Sequence, residues 1–417
     1  MNEKQNLRLK RNVGLDYVHT FLSNMNMQSS IWVLYLAYCG LHLAQIGLLE
    51  GIYHATSIVC EIPSGAAADL WGRKRCMILS NLCIAVSCVI MLFSKSFGWF
   101  AVSFAIQALG NNLNSGSEEA LVYDSMKCLG QEEHYMGVYG RLNVLIEVAQ
   151  GLATVAGGVL AEFSYFWCYA ACVVIAVLAL LSVLWMAEPP QCGEAADTAG
   201  EGVEDAAEGT PAQRTTRETV KHHFAVSACI LQKDVRIGKI IGFYSVVFAA
   251  HTLLFFYSQQ YFADLGYNKV QISVIMLLVG GASCLGALVS EKMYRWFGKK
   301  CLIPETVIIA GAILCYGAGK ADVAAAALMC AGFANAALYP IQSDSLNALI
   351  PSEQRATLIS VDSMCFSIAM IVLFPLAGAL ADRWGLKTVL LLLGVILLLF
   401  LLTVFCIEKE SFSSDHS

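Results

Sequence analysis

The sequence predicts an all-α polytopic membrane protein with twelve transmembrane helices, arranged as two six-helix bundles with pseudo-two-fold symmetry. Of its 417 residues, 57% are hydrophobic and 14% are charged, and a mean hydropathy of +0.62 is too apolar for a soluble globular protein. Apolar runs long enough to cross a bilayer as helices recur along the whole chain. Features of the first half also return in the second half at fixed offsets, as a duplicated six-helix unit would leave them.

The twelve spans divide the chain into three regions. They lie near residues 16–38, 44–66, 76–94, 98–121, 138–161, 164–187, 238–262, 270–292, 301–319, 321–343, 355–379 and 385–407. Hydropathy collapses after the sixth span, where an Ala/Gly/acid-rich run has the composition of a disordered linker. We therefore predict an N-terminal bundle over 1–190, a cytoplasmic linker over 191–236 with a segment able to form an amphipathic helix, and a C-terminal bundle over 237–417.

Basic residues are distributed unevenly between the two sides of the predicted membrane. With the N-terminus inside, only five of the 26 Lys and Arg residues fall on the outer side: Lys95, Lys269, Lys320, Arg383 and Lys387. Cytoplasmic loops carry the excess of such residues, so we expect a multi-pass plasma (inner) membrane protein with both termini in the cytoplasm. The basic leader Met1–Arg11 runs into a full-length span without a small-residue cleavage site, which argues against a removed signal.

Ionisable and polar residues line one face of the first two spans. The stripe on the first span comprises Asp16, His19, Ser23, Asn26 and Ser30. Such a stripe must face protein or water, because lipid leaves it unsatisfied, and for the two serines helix packing is the favoured interpretation. On the second span, Glu50 and His54 share one arc with Glu61. We take Glu50 and His54 as candidates for the translocation path and Glu61 as a member of a structural ion pair.

The fourth and fifth spans carry further acids and amides. The candidates for coupling or the substrate path are Asn111, Asn114, Glu118, Glu119 and Glu147. Desolvation disfavours a charged carboxylate, so acids inside the spans are suited to carry protons, with Glu119 first and Glu50 second. The alternative is that Glu119 only holds the fourth helix to a neighbour. In the second half, His251 and Asp362 are candidates, and Pro340 and Pro375 interrupt the tenth and eleventh spans.

The stretch Glu61–Arg75 turns from an apolar run directly into a basic cluster. It contains Gly65, Asp69 and Gly72, followed by Arg73, Lys74 and Arg75. This pattern resembles the signature loop between the second and third helices of major facilitator superfamily transporters, except that Leu70 stands where the family usually has a basic residue. Gly65 is expected to let two helices approach closely. The resemblance also implies that these residues form a conformational gate, in which Asp124, at the foot of the fourth helix, pairs with Arg73; Arg141 could compete for the same carboxylate.

The repeats supply the register between the two halves. Gln45-Ile46 and Gly72-Arg73-Lys74 return as Gln271-Ile272 and Gly298-Lys299-Lys300, 226 positions later. Asp124-Ser125 returns as Asp344-Ser345, and Gly158, Leu160, Ala161 and Glu162 return as Gly378, Leu380, Ala381 and Asp382, all 220 positions later. Two fixed offsets separated by a small change in length are typical of a duplicated unit.

The resemblance implies a secondary transporter that works by alternating access around a central site. No nucleotide-binding loop occurs in the sequence, so an ion gradient is the expected energy source. We expect proton-coupled efflux of organic cations or amphipathic compounds by a monomer in the lipid bilayer. Uptake of a small metabolite and a transport-inactive receptor or scaffold of the same fold are the alternatives.

Enzyme, cofactor and nucleic-acid functions find no support in the sequence. No convergent catalytic set is recognisable, and the 16 cysteines lie mostly in apolar segments, where they serve as small hydrophobic residues. Cys168 and Cys172 are one helical turn apart, but no His or acid accompanies them, so a metal site is disfavoured. We expect neither a metal nor a cofactor.

Overall fold

The computed structural model describes residues 3–190, 235–298, 302–349 and 355–414, which are almost entirely helical and contain no strand. The α-helices of the first half are α1 (Glu3–Asn24), α2 (Trp32–Tyr38), α3 (Leu43–Trp71), α4 (Arg73–Phe93), α5 (Phe97–Asn114), α6 (Ser117–Cys128), α7 (Tyr135–Phe163) and α8 (Tyr165–Leu184). Those of the second half are α9 (Val235–Asp264), α10 (Lys269–Phe297), α11 (Leu302–Cys315), α12 (Ala321–Leu349), α13 (Arg355–Trp384) and α14 (Leu386–Ser414). Short 3₁₀ turns lie at Glu132–His134 and Tyr316–Ala318.

Each of the twelve predicted spans coincides with a helix or a pair of helices. Eight of the described helices are long and apolar enough to cross a membrane, and the apolar helix Pro304–Cys315 is shorter. The predicted linker 191–236 lies outside the described residues apart from its last two positions. Pro340 and Pro375 lie inside α12 and α13, which continue through them, and whether each proline kinks its helix or serves packing stays open.

The first span is not one continuous helix, which corrects the single stripe expected on it. α1 ends at Asn24, and the chain passes through turns before α2 begins at Trp32. The intervening segment is rich in Asn, Gln and Ser, whose side chains compete for backbone hydrogen bonds. The Gln259 amide satisfies the broken backbone, since its Nε2 donates to the Ser29 carbonyl at 3.0 Å and its Oε1 accepts from Val33 N–H at 3.3 Å.

The fourth span is also divided, into α5 and α6. Gly116 has a φ of 74°, a left-handed conformation that glycine adopts without the steric cost of a Cβ. The polar residues expected on one face of this span are therefore divided between two helices. Glu118 and Glu119 now lie in the first turn of the new helix α6.

The backbone forms two compact units. Unit 1 contains Met1–Met27, Thr56–Ala153 and Phe166–Val226, and unit 2 contains Gln28–Ala55, Thr154–Tyr165 and Ser227–Ser417. In unit 1, α6 packs against α1 and α4 around buried Met77 and Leu121. In unit 2, α9 packs against α2, α12 and α13, and the Trp32 ring meets the edge of Phe256 at 5.2 Å. The division into bundles at the linker stays a prediction.

Candidate functional site

Three ionisable side chains meet in unit 1 and form what we term the acidic cluster: Asp16, His19 and Glu118. One ligand atom from each lies within 4.8 Å of the others. α1 places Asp16 and His19 about one turn apart on one face. Glu118 joins them because Gly116 ends the preceding helix and starts α6 at this point, so that the positive end of the α6 dipole lies beside its carboxylate.

Glu118 is fully supplied with hydrogen-bond donors. Its Oε1 lies 2.9 Å from His19 Nδ1 and accepts from Thr20 Oγ1 at 2.8 Å. Its Oε2 accepts from Asn114 Nδ2 at 2.7 Å. Three donors and a helix N-terminus favour the ionised carboxylate at this position.

His19 has a second neighbour in Asn81. Asn81 Nδ2 donates to the Met77 carbonyl at 2.8 Å, which orients the amide, and the same nitrogen lies 3.1 Å from His19 Nε2. The His19 ring is thus held between the Glu118 carboxylate and the Asn81 amide, and it makes no hydrogen bond to Asp16.

Asp16 differs from Glu118 in having no donor. Its side chain is 1% exposed, and neither carboxylate oxygen has a hydrogen-bond partner. An ionised carboxylate in this position is strongly disfavoured, because it is buried, unpaired and close to the charge of Glu118. An ionised Asp16 would place a second buried negative charge beside Glu118 without a hydrogen bond to offset it, and a proton or a bound cation at Asp16 would remove this cost.

The remaining candidates of unit 1 are exposed, with the exception of Asn114. Asn111, Glu119 and Glu147 are exposed, whereas Asn114 serves as a donor to Glu118. Water or a polar ligand is a far better surrounding than lipid for exposed carboxylates inside a span. The structure thus separates Glu118, which belongs to the cluster, from its neighbour Glu119, which does not.

The unit 2 candidates form two groups, and His251 is described apart from both. Glu50 Oε1 lies 3.6 Å from His54 Nε2, and His54 Nδ1 lies 3.2 Å from Ser367 Oγ, with Glu50 and His54 buried. Asp362 accepts from Gln342 Nε2 at 2.9 Å. His251, on α9, has a buried Nε2 without a partner. Each of the two acids in these groups has a polar contact, unlike Asp16.

The signature loop is a tight corner between α3 and α4. Gly72 has a φ of 90°, and Arg73 Nε lies 3.0 Å from Asp124 Oδ2, the pair that the resemblance implies. Glu188 accepts from the backbone N–H groups of Arg73 at 2.8 Å and Lys74 at 2.9 Å, so it caps α4. Lys74 Nζ also donates to the Leu184 carbonyl at 3.0 Å.

Two expectations for the signature loop need comment. A Cβ at Gly65 would meet nothing within 4 Å, so the close helix approach expected there is not present. The Asp69 side chain lies outside the described residues, and its part in the gate stays a prediction.

Sequence reasoning missed two residues of these sites. Asp16 belongs to the polar stripe of the first span but is not among the coupling candidates that the sequence predicts, and no motif marks Glu188. The available signals were the spacing of Asp16 and His19 and the position of Glu188 directly after the sixth span. Neither signal reveals whether a carboxylate has donors, because those donors come from other helices.

Comparisons with known proteins agree on a family and a fold. The sequence profile of the Major Facilitator Superfamily matches residues 18–361 and 306–415. An MFS-type transporter of Bacillus subtilis (strain 168), YxaM, is 22% identical over 379 residues, which cover 90% of each chain. A transporter of Buchnera aphidicola subsp. Schizaphis graminum (strain Sg) is 30% identical over 143 residues, 33% of this chain and 34% of that one.

Solved structures resemble the chain over nearly its whole length. The nucleoside transporter NupG superposes with a TM-score of 0.73 at 15% identity, covering 98% of this chain and 100% of that one. A D-xylose–proton symporter superposes with a TM-score of 0.66 at 14% identity, covering 96% of this chain and 97% of that one. At these identities the likeness concerns the fold alone.

Proposed function

The chain belongs to the major facilitator superfamily, and we propose that it is a proton-coupled exporter of organic cations or neutral amphipathic compounds. As a member of that family it is a multi-pass membrane transporter for small molecules and not an enzyme. The proposal adds the coupling ion, the direction and the substrate class. Its mechanism is alternating access, in which the two predicted bundles rock around a central binding site.

The observation that carries the proposal is the unpaired carboxylate of Asp16. Glu118 accepts hydrogen bonds from its neighbours whereas Asp16 accepts none, so a proton on Asp16 removes a buried charge that no hydrogen bond offsets. Water or a donor that reaches Asp16 in another conformation would favour the release of that proton. Asp16 therefore has better support as the coupling group than Glu119, which is exposed and can be hydrated.

The sign of the substrate is inferred from the exposed carboxylates of unit 1. Glu119 and Glu147 are exposed there inside predicted spans, at positions where a water-filled path is the physically acceptable surrounding. Two carboxylates favour a cationic or neutral substrate over an anionic one. In this scheme Glu119 contacts the substrate, and the proton binds elsewhere.

A second candidate is proton-coupled uptake of a small metabolite. It is supported by the fold shared with a D-xylose–proton symporter and a nucleoside transporter. A transport-inactive receptor or scaffold of the same fold is the third candidate, and it predicts no flux at all.

Flux in proteoliposomes separates these candidates. Ethidium and tetraphenylphosphonium are suitable export probes because they are permanently charged and cannot be trapped by protonation, and uridine and D-xylose are suitable uptake probes. Vesicles with an acidic lumen should accumulate the cations from an alkaline bath if protons and substrate move in opposite directions. Vesicles in an acidic bath should accumulate uridine or D-xylose if the two move together. Protein-free liposomes are the control.

Accumulation of either cation above this control supports export. Accumulation of uridine or D-xylose alone overturns export in favour of uptake. If none of the four probes moves and the lumenal dye pyranine detects no proton movement, the transport-inactive alternative replaces the proposal.

We further propose that both termini lie in the cytoplasm of a bacterial-type inner membrane, as the asymmetry of basic residues requires. A reporter fused after Ser417 or inserted near Gly200 should behave as cytoplasmic. Alkaline phosphatase, active outside, and green fluorescent protein, fluorescent inside, form a matched pair for this test. Phosphatase activity at either position would contradict the twelve-helix topology.

We also propose that the signature loop latches the predicted inner side of the transporter. The gate comprises Gly65, Asp69, Gly72, Arg73, Lys74 and Asp124. The Arg73–Asp124 ion pair and the Glu188 cap support this role, because both fix the loop to neighbouring helices of unit 1.

A further inference from the structure

The N-terminus of α3 is capped by a carboxylate from a distant part of the chain. Asp382, near the end of α13, accepts from Leu43 N–H at 3.0 Å through Oδ1 and from Ala44 N–H at 2.9 Å through Oδ2. The first N–H groups of a helix lack partners within the helix, and the helix dipole favours an anion there. One exposed aspartate thus supplies both needs from 339 positions away.

The N-terminus of α10 is capped in the same way. Glu162, at the end of α7, accepts from Lys269 N–H at 3.0 Å through Oε2. Lys269 Nζ lies 3.9 Å from the same oxygen and 4.9 Å from the centroid of the Tyr165 ring. Backbone, ammonium group and aromatic ring together hold the turn between α7 and α8 against the start of α10.

The two caps occupy equivalent positions in the repeat. Lys269 lies 226 positions after Leu43, and Asp382 lies 220 positions after Glu162, the same offsets that relate the two halves of the sequence. Each contact joins a carboxylate of one half to a helix N-terminus of the other half. The duplication has therefore preserved one contact twice, with the halves exchanged.

The residues around each cap are equivalent as well. A Cβ at Gly158 would clash with the chain at Lys269, and a Cβ at Gly378 would clash with the Leu43 carbonyl. Next to these contacts, the side chains of Gln45 and Gln271 accept from the N–H groups three residues before them, at 3.1 and 3.0 Å. Close backbone approach and helix capping thus occur together at both positions.

We propose that these two contacts, the Glu162–Lys269 clasp and the Asp382–Leu43 clasp, hold the predicted outer side closed and open together in one step of the transport cycle. The inference rests on the proposed function, because each clasp joins residues 1–190 to residues 237–417, the bodies expected to rock. Their carboxylates and amides are near solvent, so water can replace each contact when it opens. Glu162 and Asp382 are positioning residues and touch no substrate.

Hydrogen–deuterium exchange of the purified full-length protein tests the joint opening. Exchange of an amide that opens with a shared equilibrium reports that equilibrium. Asp382→Asn keeps the shape of the side chain and removes its charge. It should accelerate the Leu43 and Ala44 amides about tenfold and, if the clasps open together, the Lys269 amide by the same factor. Glu162→Gln should give the reciprocal result and serves as the primary test if the first variant does not fold.

Two control variants complete the test. Asp322 is an exposed acid in the first turn of its own helix α12, and Asp322→Asn should leave exchange at both clasps unchanged. Asp382→Glu retains the charge and should largely restore slow exchange. Acceleration confined to the mutated clasp, or equal acceleration in Asp322→Asn, would overturn the proposal. This experiment needs neither substrate nor gradient, so its outcome is independent of the flux experiment.

Discussion

Asp16 of the acidic cluster and Asp382 of the outer clasps are the same side chain in opposite surroundings. Asp16 is 1% exposed and has no donor, whereas Asp382 is exposed and accepts from two backbone N–H groups. In the first surrounding the charged form is costly, so the group is suited to binding a proton. In the second the charged form is stabilised, and the group is suited to a contact that forms and breaks without titration.

Asp124 of the signature loop lies between these extremes. It and its partner Arg73 are each 34% exposed, and one ion pair joins them. Half-exposed pairs of this kind contribute modestly because water screens them. The comparison indicates that two properties of a carboxylate decide its role: the number of its hydrogen-bond donors and its access to water. They distinguish a proton-binding group such as Asp16 from an ion-pairing group such as Asp124 and a helix-capping group such as Asp382.

The largest effect is expected from Asp16→Asn. Asparagine keeps the volume of the side chain and cannot titrate at this position, so gradient-driven accumulation of ethidium should fall to the level of protein-free liposomes. Exchange of labelled ethidium at equal concentrations on both sides should continue, because it needs no proton. Wild-type accumulation in this variant would show that the unpaired carboxylate is not the coupling site. The contrast between a titrating Asp16 and a non-titrating Asp382 would then no longer hold.

Glu119→Gln is the matched control, since it removes an exposed carboxylate from the neighbouring helix. We expect its proton dependence to match that of the wild type, with about tenfold weaker apparent affinity for ethidium, as loss of one charged contact would give. The measurement is flux against substrate concentration at several pH values. Loss of the pH dependence would instead identify Glu119 as the coupling carboxylate, as the sequence alone suggested.

An intermediate effect is expected from Asp124→Asn. Loss of this half-exposed pair should lower the transport rate about three- to tenfold while expression and membrane insertion stay intact. Asp69→Asn should act in the same direction, because the signature-loop resemblance places it in the same latch. Initial rates per inserted molecule are the appropriate readout. Full activity in both variants would place the latch elsewhere.

The smallest effects concern backbone packing at the clasps. Gly378→Ala introduces a Cβ against the Leu43 carbonyl, so exchange at Leu43 should accelerate, by up to about tenfold. Gly242→Ala, on α9, meets nothing within 4 Å and should stabilise the helix by up to about 1 kcal/mol. Exchange at Leu43 and thermal unfolding in detergent measure the two. If exchange at Leu43 were the same in Gly378→Ala as in Gly242→Ala, close backbone approach at the clasp would be unimportant.

The sequence by itself determined where the apolar spans lie, although not the breaks inside the first and fourth. Each span is a property of about twenty consecutive residues, and burial of apolar side chains in lipid selects helix wherever such a run occurs. The repeat offsets likewise marked Glu162 and Asp382 as equivalent residues, because duplication leaves a trace in sequence register. The Arg73–Asp124 contact was also anticipated, from a local motif.

Only the tertiary structure decided that the Asp16 carboxylate lacks a donor. His19 and Glu118 are 99 positions apart, and local hydropathy contains no information about such a pairing. The break at Gly116 further places Glu118 at a helix N-terminus and leaves Glu119 on the exposed surface. Burial and hydrogen bonding depend on which helices become neighbours, so the unpaired state of Asp16 and the two clasps emerge when distant segments pack together.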